Sequence, residues 1–176
     1  MVHKPIVLVE KVRNADQQPS QFAGWLPEPE RIVGLGFRYW THGWKSGDIA
    51  SWECAWNFYC RRFGVCGARE ALGNLSHWVN TLNQAAMREI EVFPQACCRL
   101  FRDECIAVGM VAACQHKACP AMRACAYALI ESSRVDDVVN GAKAFADTLM
   151  SLDQVLSPAS AVTPLALVSP VNGYSH

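Results

Sequence analysis

A chain of 176 residues fits one domain and can bury roughly two thirds of its unfolded surface. Sixteen basic residues balance sixteen acidic ones, so the chain lacks the electrostatic footprint of a nucleic-acid or anionic-lipid binder, and no nucleic acid is expected as a partner. No stretch approaches the roughly 18 to 20 apolar residues of a membrane span, and the apolar run Ile6 to Val9 is too short for a signal peptide. The expectation is a soluble cytoplasmic protein without a membrane partner. In that reducing compartment its nine cysteines are thiols or ligands rather than a disulfide framework.

Residues 1–27 read as an irregular N-terminal segment, with a short strand over "HKPIVLVEKV" and a polar linker behind it. "LPEPE" announces a first helix, with Pro29 suited to its first turn and Glu28 and Glu30 to its dipole. Gly34 and Gly36 weaken that helix and suggest close backbone contact. Asp48 is a natural N-cap for a second helix, "IASWECAWNFYCRRF", and "GVCG" ends it. At 100° per residue Ile49, Trp52, Trp56, Tyr59, Cys60 and Phe63 form one wide apolar face, while Cys54 and Phe58 lie roughly opposite. A third helix carries Leu72, Leu75, Val79, Leu82, Ala86 and Ile90 at 3-4-3-4 spacing, the seam of a helix packed alongside a neighbour. Pro94 starts a fourth helix running to about His116, and Pro120 a short fifth. Ser133, with Asp136 three residues on, caps a last helix with Val135, Val138, Val139, Ala142, Phe145, Ala146 and Leu149 on one face. Residues 157–176 contain three prolines and no charge, and read as a flexible tail. The fold class is therefore all-α: a single bundle of five to six helices over residues 28–156.

Six cysteines fall between Cys97 and Cys125, but the chain has no CxxC and no CxxxC, the close pairs by which structural zinc and iron–sulfur sites present two thiolates to one metal. On a helix from Pro94, Cys98, Cys105 and His116 would share one stripe. With Cys119 or Cys125 from the next helix they form a mixed thiolate and imidazole set suited to zinc or copper. Against this, Cys98 and Cys105 would stand two turns apart, roughly 10 Å, too far for one ion. Free cysteine also packs well as a small hydrophobe.

Other chemistry is scarce. No Glu-x-x-His occurs, which removes the carboxylate-bridged di-iron bundles. There is no phosphate-binding glycine loop, dinucleotide fingerprint or nucleophile elbow. Asp103 and Glu104 are adjacent, so on a helix they point about 100° apart and do not form a working acid–base pair. Glu53 reads as a boundary residue, His77 as a solvated histidine and His42 as a helix-end cap.

The densest feature is aromatic, with Trp40, Trp44, Trp52, Trp56 and Tyr59 as the candidate interaction or ligand surface. The leading expectation is an interaction or regulatory protein that binds rather than catalyses, forming a homodimer through the aromatic second helix or the leucine seam. The alternative is a thiolate metal-binding or thiol-redox protein using Cys98, Cys105, His116, Cys119 and Cys125. The third is a carrier of a small apolar ligand in a tryptophan-walled pocket.

Overall fold

The structure, a computed structural model, describes residues 26–162. It is an all-α bundle of five main helices: α1 (Glu28–Ser46), α2 (Ile49–Ala85), α3 (Arg102–Gln115), α4 (Cys119–Ile130) and α5 (Val135–Ser151). The expected N-terminal strand and the tail beyond residue 162 lie outside the described residues. No helix among them is long and apolar enough to cross a membrane.

The first helix begins as its sequence suggests, with Pro29 and two glutamates in its opening turn, and Gly47 in the left-handed region closes it by donating its N–H to Gly43 O. Its glycines serve contact. A Cβ at Gly34 would meet the Leu100 side chain, one at Gly36 the Tyr59 hydroxyl, and one at Gly43 the Trp52 indole. Three neighbours thus seat directly on the α1 backbone.

Asp48 caps α2 by accepting the Ala50 N–H at 3.0 Å. Gly64 then breaks the helix, with φ 68° and ψ 178°, a region open essentially only to glycine. Two limbs result, 49–63 and 65–85. "VCG" opens the second limb instead of closing the first. Trp52 and Ser76, equidistant from Gly64 in sequence, line one groove, so the second limb folds back along the first. The inward face of the first limb is Ser51, Ala55 and Tyr59, rotated by about 90° from the apolar set read in the sequence. Ile49 and Trp56 consequently point outward.

The leucine seam is core. Leu72, Leu75, Val79 and Leu82 are buried, and α2 packs along α5, where Trp78 sits between Phe37 and Phe145 with ring centroids 5.6 and 5.9 Å away. This seam is consumed within the chain and cannot serve as a homodimer interface. All seven apolar positions expected on the α5 face are buried. Its N-cap is Arg134, without a side-chain cap, rather than Ser133. Central place belongs to α3, buried without interruption from Ile106 to Ala113 and packed on α1, α4 and α5.

The largest departure from expectation is the segment 86–101, which forms neither helix nor strand. Helix α2 stops at Ala85, whose carbonyl takes the Ser132 hydroxyl, while the Met87 N–H turns to Ile130 O. Helix α3 starts at Arg102 rather than Pro94, because the Glu104 carboxylate accepts the Phe101 N–H and so marks the first turn. Cys97 and Cys98 therefore lie off the helix that carries Cys105, and the expected stripe does not exist.

At the other end, Leu156 and Ala161 are buried, and residues 158–162 form a last helical turn. Glu30 Oε1 accepts the Ser157 N–H at 2.7 Å and the Ser160 hydroxyl at 2.9 Å, tying this segment to the start of α1.

Candidate functional site

Three polar clusters and one aromatic surface remain once the core is accounted for. Two of the clusters hold the 86–101 segment in place. Arg38, fully buried on α1, makes a two-pronged pair with Glu104, at 2.6 and 2.9 Å, and donates to the carbonyls of Cys97 and Arg99. Glu104 also accepts the Phe93 N–H at 3.3 Å. Next to it, Asp103 takes a two-pronged pair from Arg88, at 2.8 and 2.7 Å, and the Glu91 N–H at 2.9 Å. The two adjacent carboxylates thus face separate arginines. They satisfy backbone groups of an irregular segment that is anchored in the core by Ile90 and Leu100 and otherwise lies at the surface.

The third cluster contains serine, histidine and aspartate. Ser51 donates its hydroxyl proton to Asp48 Oδ2 at 3.1 Å and accepts from Gln95 Nε2, and its Oγ lies 2.9 Å from His42 Nδ1, so the carboxylate contacts the serine and not the imidazole. This order is wrong for nucleophile activation, in which the imidazole takes the serine proton and the carboxylate orients the imidazole. Ser51 is also fully buried. The cluster is a helix cap that reaches across to the 86–101 segment.

The thiols are dispersed. Cys54, Cys66, Cys98 and Cys119 are exposed, Cys105 is half-buried and Cys125 is buried. His116 closes α3, and its Nε2–H reaches Leu156 O at 2.8 Å. Cys119 and Cys125 each lie near Cys114, around the α3–α4 turn. Burial pushes the Cys114 thiol up to about 12 against the pull of Lys143, and the Cys125 thiol up to about 11. Burial thus favours the neutral form of both thiols. Among the described residues no three histidine, cysteine, aspartate or glutamate side chains are grouped so as to hold a metal ion.

The aromatic surface is formed by α1 and both limbs of α2. Trp40, Trp44 and Trp52 wall one side of an open groove of about 580 Å³, with Gly73, Ser76, His77 and Asn80 of the second limb opposite. Trp40 and Trp52 lie 6.0 Å apart, and the Trp52 Nε1 sits over Gly43. Three of the five aromatic residues singled out in the sequence meet here. Trp56 stands on the outer face of the first limb beside Ile49 in the helical register, 37% and 65% exposed. Tyr59 does not belong to this surface: it is fully buried, and its hydroxyl donates to Ile32 O at 3.1 Å. The polar wall went unread in the sequence, where His77 looks like an ordinary solvated histidine. Only the reversal at Gly64 turns them toward the tryptophans.

No protein-family model, curated protein or solved structure matches this chain.

Proposed function

We propose that the chain is a helical interaction protein that acts by binding, and that it self-associates through the outer face of the first limb of α2. The observation behind this reading is an apolar strip left without cover. Ile49 and Trp56 remain exposed on a body that encloses Trp78, Phe37 and Phe145 completely. A helix apolar on two sides packs one side inward and offers the other to a partner. A second copy presenting the same strip across a two-fold axis covers both at once. Zero net charge leaves no long-range repulsion between copies.

Sedimentation velocity over a concentration series tests the reading. The mass is expected to rise from one chain toward two, and Trp56→Glu to hold it at one. A mass that stays at one chain throughout the wild-type series defeats the proposal.

A further inference from the structure

The groove carries a separate inference, which does not rest on self-association. Among the helical glycines, Gly34, Gly36, Gly43, Gly67 and Gly141 each have a packing reason, since a Cβ there would press on Leu100, Tyr59, Trp52, Phe63 or Trp78. Gly73 has none. It lies inside the second limb of α2, it is exposed, and a Cβ built on it meets nothing within 4 Å. Glycine is a poor residue for a helix interior, so its presence here is unexplained by the protein's own contacts. What Gly73 does face is the groove, across from three indoles. A glycine at such a place lets a bound molecule approach the backbone closely.

The lining specifies the chemistry. One wall is three indole rings, and the other offers a hydroxyl, an imidazole, a carboxamide and bare backbone. None of the seven lining residues is lysine, arginine, aspartate or glutamate. The volume falls within the roughly 300–1,000 Å³ of small-molecule sites. We infer that the groove is a binding site for a small neutral molecule with a flat apolar body, which lies on the tryptophans, and a hydrogen-bonding edge, which meets Ser76, His77 and Asn80.

The test uses 1-naphthol as probe, with 1-naphthoate and 1-naphthylmethylammonium as its charged counterparts, on the full chain at a dilution where it is monomeric. Binding is read from the indole N–H signals of Trp40, Trp44 and Trp52, with that of core Trp78 as control. Naphthol is expected to shift the three groove signals, leave Trp78 in place and bind more tightly than either ion. Gly73→Ala is expected to raise the melting temperature while weakening naphthol binding at least tenfold. Trp44→Ala weakens it comparably without unfolding, since Trp44 is 44% exposed. Shifts absent from the three indoles, tighter binding of the ammonium or carboxylate, or unchanged affinity in Gly73→Ala would each overturn the inference. So would a lower melting temperature in Gly73→Ala, which would give the glycine a packing role.

Discussion

Glu104 shows how much one side chain can organise. It anchors Arg38, marks the start of α3 and receives the Phe93 N–H, so both its oxygens are committed in a site closed to water. Removing one partner of a buried pair strands the other, at a cost of about 3–5 kcal/mol. Glu104→Ala is therefore expected to lower stability by about that much in urea unfolding, with the 86–101 segment the first to gain hydrogen exchange. A loss under about 1 kcal/mol would show that Arg38 finds water or another acceptor. Cys114 and Cys125 make the opposite case, as thiols whose neutral form burial favours. The Cys114 and Cys125 thiols ionise near 9.0 in the unfolded chain and at about 12 and about 11 in the folded one. Their raised values give stability that is whole below pH 9 and lost as pH climbs from 9 toward 11 and 12, on the order of a few kcal/mol. At neutral pH, alkylation of the native protein should label Cys54, Cys66, Cys98 and Cys119 and spare Cys125. Early labelling of Cys125 in a mass-spectrometric time course would contradict its enclosure.

At the scale of elements, one residue decides the layout of α2. A 37-residue helix would be over 50 Å long if straight, and Gly64 folds it in two. Gly64→Ala introduces no clash, since nothing lies within 4 Å of a Cβ there. The expected loss, on the order of 1–3 kcal/mol in thermal or urea unfolding, is thus backbone strain alone. An unchanged midpoint would mean that the turn can relax. Helix periodicity was legible wherever packing follows spacing, as in the leucine seam and the α5 face. It misled in part on the first limb of α2, because the small residues Ser51 and Ala55 face inward beside Tyr59 while Ile49 and Trp56 point outward. The 86–101 segment escaped notice for a different reason: Pro94 followed by apolar and small residues looks like a helix start. The contrary signal lay in two acidic residues whose arginines are 15 and 66 positions away, a separation that local patterning cannot reveal.

For the whole molecule, the class of fold was readable from composition and breakers. The groove itself was not, because its polar wall depends on the reversal at Gly64 and its depth on the missing side chain of Gly73. A last feature concerns connectivity. The hydrogen bonds of Ser157 and Ser160 to Glu30 join positions 127 and 130 residues apart, at the first and last turns of the described body. The helices are therefore arranged as a closed circuit rather than a row with two loose ends. Peeling from either side breaks hydrogen bonds to the same carboxylate, so each terminal element helps to hold the other in place.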